Sequence, residues 1–252
     1  MHPPISEKQK HMQENSYYDQ NLVEHQVKSG QHRDVIGGMW DQIGALQFEF
    51  LVAHGLLPHH RLIDVGCGSL RGGVHFARYL DHGNYYGIDL NQSLIDAGYE
   101  LEFKPMGLDS RVPRTNFHAT ADFDFSPFDT TFDFALALSV FTHLTLNSIR
   151  ICLERLAPSM TPGGAFFATV FAAHPEWPTG KPALHQPGGI TTYGDRDPYH
   201  YRREDLTYIA SASGWTAEWI GQFDHPRDQQ MVCFRIAKDL RKPAAGLRSE
   251  DD

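Results

Sequence analysis

The sequence predicts an α/β fold with a doubly wound, mostly parallel sheet of seven strands, one of which is antiparallel. Three observations carry this prediction: seven short apolar runs, helical stretches interleaved with them, and a glycine-rich loop directly after the first run. Parallel neighbours need a crossover connection, which a helix usually supplies, so this alternation indicates a parallel sheet. The last two runs are joined only by the segment GQFDHPRDQQ, a hairpin-like connection that makes one strand antiparallel.

The individual elements follow from the spacing of the apolar residues. Short apolar runs bounded by turn residues predict strands, and recurrence every three to four residues predicts helices. The predicted strands are RLIDVG, NYYGIDL, TNFHAT, FDFALAL, GGAFFATVF, WTAEWIGQF and QQMVCFRI, with helices near 72–80, 92–103, 145–157 and 203–213. A further helix is predicted over 38–57, because its apolar residues share one face and Pro58 closes it. It leads into the domain and forms an N-terminal helical cover.

The chain is expected to form a single domain with a tail at each end. Residues 1–37 read as an N-terminal tail and cap segment, because they are polar and largely without period. Residues 38–237 read as the domain, with 174–201 as an inserted lid, and residues 238–252 as a flexible C-terminal tail.

Composition excludes several classes of protein. The net charge of -9 disfavours a nucleic-acid partner, because such binding draws on a field of lysines and arginines. No run of about 18 apolar residues and no signal segment is present, so we expect a cytoplasmic protein without a membrane partner. The three cysteines lack CxxC spacing, which argues for reduced thiols and against a zinc site. The oligomeric state is not indicated.

The glycine-rich loop predicts a ligand at the end of the first strand. Gly66 and Gly68 allow a tight turn in which a ligand approaches the backbone. A dinucleotide-binding loop would have a further glycine where this chain has Arg71. Asp89 ends the second strand about 20 residues beyond Gly68, the distance at which an acid reaches a ribose hydroxyl pair.

Five motifs occur in order over residues 61–170, and such an ordered set is more specific than any single motif. The motifs are Ile63-Asp64-Val65-Gly66-Cys67-Gly68, Gly87-Ile88-Asp89, Ala121-Asp122-Phe123, Phe132-Asp133-Phe134-Ala135-Leu136-Ala137, and Leu156-Ala157-Pro158 with Thr161-Pro162-Gly163-Gly164. The set resembles the class I S-adenosylmethionine-dependent methyltransferases of the small-molecule type. The resemblance implies a Rossmann-like fold and S-adenosyl-L-methionine as the cofactor.

The resemblance also implies roles for individual residues. The loop passes the methionine part of the cofactor, Asp89 holds the ribose, and Asp122 caps the adenine amino group beside Phe123. For Asp122 the alternative is a solvated loop acid. The family often has a third glycine where this chain has Leu70, so the loop path departs from the usual one. The candidate cofactor-binding residues are Asp64, Gly66, Cys67, Gly68, Asp89, Leu90, Asp122, Phe123 and Ser139.

The segment after the fourth strand is where an acceptor would meet the cofactor, because ligands collect beyond the carboxyl ends of parallel strands. It contains His143, a candidate general base, since imidazole can take a proton near neutral pH. The alternative is a histidine that caps the following helix or packs under the sheet edge. The Asn/Asp-Pro-Pro-aromatic signature of nucleic-acid amino methyltransferases is absent, and no metal-ligand set is visible.

The long segment 174–201 is rich in proline, glycine, histidine and aromatic residues. Such a loop is often a lid, and its aromatic side chains could wall an acceptor pocket. The alternative is that these side chains pin the loop to its own domain. The candidate acceptor-binding residues are Trp177, Tyr193, Tyr199 and His200.

The sequence therefore predicts methyl transfer to an O or N atom of a small-molecule acceptor, by in-line displacement that depends mainly on alignment. Two alternatives remain open at this point. One is a catalytically inactive cofactor-binding protein that acts through partners. The other is a protein or RNA methyltransferase, which the acidic balance and the lack of an added recognition domain disfavour.

Overall fold

A computed structural model describes residues 16–178 and 180–237 of the chain. Its N-terminal part is helical, with α1 at Gln20–Lys28, α2 at His32–Val35 and α3 at Trp40–Ala53. The helix predicted over 38–57 is α3, which ends before Pro58 and buries the predicted apolar face. The other helices are α4 at Gly73–Tyr79, α5 at Gln92–Ala97 with a π-helical continuation at Gly98–Phe103, α6 at Leu146–Leu156 and α7 at Arg203–Ala212.

Seven strands form the main path of the sheet, as predicted. In chain order the strands are β1 Leu62–Val65, β2 Tyr85–Asp89, β3 Phe117–Ala119, β4 Phe132–Ala137, β5 Met160–Ala172, β6 Ala183–His185, β7 Ile190–Thr192, β8 His200–Tyr201, β9 Trp215–Gln222 and β10 Gln230–Ile236. The spatial order is β3-β2-β1-β4-β5-β10-β9. Neighbours from β3 to β5 are parallel, and β10 is antiparallel to β5 and β9. This confirms the doubly wound fold with one antiparallel strand.

Two apolar layers hold the helices against the sheet. Leu62 of β1 packs with the layer that α3 and α4 cover, and Ile63 packs with the layer that α6 and α7 cover. Alternate side chains of a strand point to opposite faces, so a central strand covered on both faces has to be apolar at nearly every position. All four residues of β1 are buried, including the carboxyl-bearing Asp64.

The strand order places a crevice at the carboxyl edge of the sheet. The chain runs outwards from β1 to β2 and β3, then returns to β4 on the other side of β1. Loops that leave β1 and β4 at such a switch point diverge to opposite faces, and the space between them is where open α/β sheets bind ligands.

The connection from β5 to α7 is more regular than the sequence predicted. Strands β6 and β7 pair as an antiparallel hairpin, and β8 adds to the end of β5 in parallel. These strands have two or three residues each, too short to give an alternating pattern that sequence could reveal.

The helical N-terminal part is fastened to the domain beside the crevice. Buried Glu102 accepts hydrogen bonds from His32 Nε2 and from Arg33 Nε and Nη2, all at 2.7 Å. Ile36 packs so closely on the glycine loop that a Cβ at Gly68 would lie 2.8 Å from its Cγ2. Among the described residues, none of the helices combines the length and apolarity that crossing a membrane requires.

Candidate active site

A pocket of about 310 Å³ opens at the carboxyl edge of the sheet. Its walls come from the glycine loop, the end of β2, the segment after β3, the segment after β4, and the N-terminal helical part. Further lining residues come from the β5–α7 connection and from the β9–β10 loop. Segments far apart in the chain therefore converge on the crevice that the strand order creates.

The glycine loop lies against the pocket in a conformation that side chains would obstruct. Gly66 and Gly68 have φ angles of 79° and 53°. A Cβ at Gly66 would lie 2.4 Å from Cγ2 of Val140, which lines the same pocket. Leu70, at the position where the resembled family often has glycine, also has a positive φ of 66°. The backbone thus keeps a glycine-like turn there and accepts the strain of a side chain.

Asp89 joins the glycine loop to the end of β2. Its Oδ2 accepts a hydrogen bond from the Gly68 amide and its Oδ1 accepts one from the Asn91 amide, each at 2.8 Å. Burial raises the pKa of this carboxyl to about 6, against the stabilising backbone hydrogen bonds. Each carboxylate oxygen can accept a further hydrogen bond, so Asp89 is suited to a ligand with two adjacent hydroxyls.

Asp64 lies at the bottom of the pocket, within β1. It accepts a hydrogen bond of 2.8 Å from the Tyr85 hydroxyl. Burial, with the nearby Asp89 as a further cause, raises its pKa to about 7, although the bond from Tyr85 acts in the opposite direction. The ionisation of Asp64 near neutral pH therefore depends on the charge of the ligand that occupies the pocket.

Cys67 lines the pocket, and its thiol packs against β2, where a Cβ at Gly87 would lie 2.8 Å from the sulfur. The residue is buried, and burial together with the charges of Asp89 and Asp64 raises the pKa of the thiol well above its ordinary value. The thiol stays protonated at neutral pH.

His143 faces the pocket with a carboxylate behind it. Its Nδ1 lies 2.6 Å from Oδ1 of Asp197, and both side chains are largely shielded from solvent. The Tyr17 ring packs edge-on against the imidazole, with ring centroids 5.4 Å apart. A carboxylate that accepts from Nδ1 favours the tautomer with the proton on Nδ1, which leaves the Nε2 lone pair available. Asp197 had no role in the sequence analysis, because its partner lies far away in the chain.

The remaining candidate cofactor residues divide into two groups. Leu90, Phe123 and Ser139 line the pocket together with the loop glycines. Asp122 does not line it: its carboxylate points to solvent and pairs with Arg155 at 2.6 Å. The geometry at Asp122 agrees with the solvated loop acid that was its alternative, while its neighbours Ala121 and Phe123 reach the pocket.

The structure does not bring the four aromatic and histidine candidates of segment 174–201 to the pocket wall. Trp177 is 39% exposed and donates to the Lys181 carbonyl, and Tyr193 packs under the Arg196 guanidinium. Tyr199 stacks on Tyr201, and buried His200 is held by Thr192 Oγ1 at 2.8 Å. These side chains are occupied by packing within their own segment. Ile190 and Pro198 of the same segment line the pocket instead.

Three further polar residues line the pocket without having been assigned a role from the sequence. Arg71 follows the glycine loop, and Arg227 and Gln229 come from the β9–β10 loop. Gln229 Oε1 accepts from Ser139 Oγ at 3.0 Å and from Thr169 Oγ1 at 2.7 Å. The only signal in the sequence was the motif His225-Pro226-Arg227, which a plain surface turn explains equally well.

Within residues 16–178 and 180–237, no group of three or more His, Cys, Asp or Glu side chains is arranged to hold a metal ion.

Residues 63–166, which include the glycine loop, Asp89 and His143, match a family model described as a methyltransferase domain.

Solved structures share the fold at low sequence identity. The DhpI complex with SAH has a TM-score of 0.58 and 16% identity, over 87% of this chain and 95% of that one. The magnesium protoporphyrin IX methyltransferase ChlM from Synechocystis PCC 6803, with bound SAM, gives 0.55 and 15%, over 87% and 97%. The sugar N-methyltransferase KedS8 from Streptoalloteichus sp ATCC 53650 gives 0.55 and 16%, over 77% and 88%. Residues 63–166 therefore match a methyltransferase domain model, and the chain shares its fold with solved S-adenosylmethionine-dependent methyltransferases, in line with the resemblance seen in the sequence.

Proposed function

We propose that the protein transfers a methyl group from S-adenosyl-L-methionine to an O or N atom of a small-molecule acceptor. The observation that carries the proposal is that the glycine loop, Asp89 and His143 line one pocket at the carboxyl edge of the sheet, with Asp197 bonded to His143. Neighbours of the same fold hold SAM or SAH, and one is a sugar N-methyltransferase, which supports both the cofactor and the class of acceptor.

The pocket fits this cofactor at several points. Gly66 and Gly68 line the pocket with backbone alone, so the methionine chain can approach the loop closely. Asp89 offers both carboxylate oxygens to the ribose hydroxyls. Phe123 and Leu90 provide an apolar surface for the adenine ring. Asp122 is not part of this proposal, because its carboxylate is paired with Arg155 outside the pocket.

His143 is proposed as the general base. When bound, the cofactor supplies an electrophilic methyl group on a sulfonium with a good thioether leaving group, so alignment matters more than acid–base strength. Asp197 fixes the His143 tautomer, and Nε2 can take the proton of an acceptor hydroxyl or ammonium. Tyr17 limits the rotation of the imidazole through its edge contact. Val140 and Phe171 exclude water from the reacting atoms, since both line the pocket.

The segment 174–201 is proposed to cover the acceptor through its backbone path and through Ile190 and Pro198. Its aromatic side chains stabilise that path rather than contact the acceptor. Asp197 links this cover to the base, because it belongs to the segment and bonds His143.

Calorimetry with S-adenosylhomocysteine tests the cofactor assignment. Asp89→Ala removes two charge-assisted hydrogen bonds worth about 1.5 to 3 kcal/mol each, so we expect affinity to fall by tenfold or more while the fold survives. Asp89→Asn is the matched control of equal size, which keeps part of the hydrogen bonding and loses the charge. Unchanged affinity in Asp89→Ala would contradict the ribose assignment.

Turnover of S-adenosylmethionine on a panel of hydroxyl and amine acceptors tests the base. Asp197→Asn keeps the side-chain volume and weakens the orientation of His143, so kcat is expected to fall by about 10- to 100-fold with little change in S-adenosylhomocysteine affinity. His143→Ala is expected to lower kcat at least as much. Activity that survives both changes would identify His143 as a structural residue.

A further inference from the structure

Two arginines line the same pocket, and their guanidinium groups donate hydrogen bonds to the same turn, residues 36–38. Arg71 Nη1 donates to the carbonyls of Ile36 at 3.3 Å and Gly38 at 2.8 Å. Arg227 Nη2 donates to the carbonyl of Gly37 at 2.6 Å. Both residues line the pocket, one from the start of α4 and the other from the β9–β10 loop.

Neither guanidinium has an acidic partner among residues 16–178 and 180–237. The two carboxylates of the pocket are engaged elsewhere, since Asp64 bonds Tyr85 and Asp89 bonds backbone amides. Arg71 is only 7% exposed, and its Nε is buried without an acceptor. A buried cation with unused donors is costly unless an anion meets it, so the arrangement is suited to a negatively charged ligand.

The two cations differ in what surrounds them. Arg71 comes directly after the glycine loop, where the proposed cofactor would place its methionine carboxylate. Arg227 lies against the β6–β7 hairpin, so closely that a Cβ at Gly188 would be 2.6 Å from the Arg227 Cα. The Arg227 backbone therefore lies on the β6–β7 side of the pocket, and its guanidinium reaches from there to the carbonyl of Gly37.

Charge balance separates the two roles further. The proposed cofactor brings one carboxylate but two positive centres, its ammonium and its sulfonium. A single carboxylate can satisfy Arg71, and the second cation is then left without a counter-charge. Burial and the repulsion of Arg227 lower the pKa of Arg71 to about 10, so Arg71 remains charged at neutral pH.

We propose that the methyl acceptor carries an anionic group, a carboxylate or a phosphate, and that Arg227 binds it while Arg71 binds the carboxylate of the cofactor. This inference rests on the proposed function and adds the chemical class of the acceptor. The planar guanidinium group can donate two parallel hydrogen bonds to either a carboxylate or a phosphate. The acceptor's nucleophilic O or N atom is then oriented from its anionic end towards His143, which lines the same pocket.

The test measures anion binding by calorimetry on protein saturated with S-adenosylhomocysteine. The probes are inorganic phosphate and succinate, and the one that binds more tightly identifies the anionic class. Arg227→Gln is expected to weaken the tighter probe by about tenfold or more while S-adenosylhomocysteine affinity stays within about threefold. Arg227→Lys keeps the positive charge without the planar guanidinium group, and an intermediate loss is expected. Arg235→Gln is the control, because this exposed arginine donates to the Gly163 carbonyl outside the pocket.

The outcomes separate this inference from the proposed function. If neither probe binds, or if Arg227→Gln binds both as well as the unmodified protein, the inference is overturned. If Arg227→Gln loses S-adenosylhomocysteine and probe affinity together in a folded protein, Arg227 belongs to the cofactor and the inference is again overturned. If the unmodified protein does not bind S-adenosylhomocysteine, the proposed function fails, and the same titrations without it still decide whether Arg227 binds an anion.

Discussion

The substitution Asp64→Asn is expected to stabilise the fold at alkaline pH. Asp64 is buried in β1, and its pKa in the folded protein is about 7 against an ordinary value of 3.8. A difference of about 3 pKa units corresponds to about 4 kcal/mol at 1.36 kcal/mol each, as an upper limit for the cost of ionising this group in the fold. Asparagine has nearly the same shape and can still accept the bond from Tyr85.

The direction of the pH dependence follows from proton binding. Between about pH 4 and pH 7 the folded protein holds a proton on Asp64 that the unfolded chain has released. Stability therefore falls as pH rises through this window and is lowest, for this group, above pH 7. Asp64→Asn lacks that dependence, so its gain is expected to be about 2 to 4 kcal/mol at pH 8 and close to zero at pH 4.

Urea unfolding at pH 4, 6 and 8 measures this difference for the unmodified protein and for Asp64→Asn. Asp81→Asn serves as the control, because Asp81 is exposed at the end of α4 and its replacement should change stability by less than about 0.5 kcal/mol. Equal stability of Asp64→Asn and the unmodified protein at pH 8 would refute the reasoning. A gain in stability together with weaker S-adenosylhomocysteine binding would show that the Asp64 carboxylate serves ligand binding at a cost in stability, because it can stabilise the ammonium group of the ligand.

Three further predictions concern the loop, the ribose acid and metals. Burial raises the pKa of Asp89 to about 6, so the ionised carboxylate that accepts two hydrogen bonds is lost as pH falls through that value. Calorimetry should therefore show S-adenosylhomocysteine affinity about tenfold lower at pH 5 than at pH 7. The same pH dependence in Asp89→Asn would assign the effect to another group. Gly66→Ala should lower the melting temperature more than Gly83→Ala, because both have φ near 80° but only the first Cβ would strike Val140, at 2.4 Å, and similar losses would discount that contact. EDTA should leave turnover intact, since the described residues offer no metal cluster, and recovery of a lost activity by magnesium would contradict this.

The fold was predictable because its signals are local. The run at 62–65 is apolar except for Asp64, and the run at 85–89 ends in an acid after a buried strand, so both strands and the loop between them follow from neighbouring residues. The presence of one antiparallel strand also followed, because the last two strands are joined by a short, hairpin-like connection. The β6–β7 hairpin did not follow, since three-residue strands carry no periodic pattern.

The site was predictable where one segment forms it, and not where distant segments meet. The positions of Gly66, Gly68 and Asp89 around one loop follow from the motif itself. The pairing of His143 with Asp197 and the meeting of the two arginines at one turn depend on tertiary packing, which no spacing in the chain encodes. For the aromatic residues of 174–201, composition suggested a role in binding the acceptor. In the structure, Tyr193 and Tyr199 pack against other side chains of the same segment.

The thiol of Cys67 has a consequence for the chemical durability of the protein. A sulfur atom beside a pocket proposed to hold an alkylating sulfonium is itself a potential methyl acceptor, but only the thiolate is strongly nucleophilic. Burial beside two carboxyl groups keeps this thiol protonated. The burial of Cys67 therefore protects the protein from inactivating itself by alkylation, and a change that exposed this thiol would shorten its working lifetime.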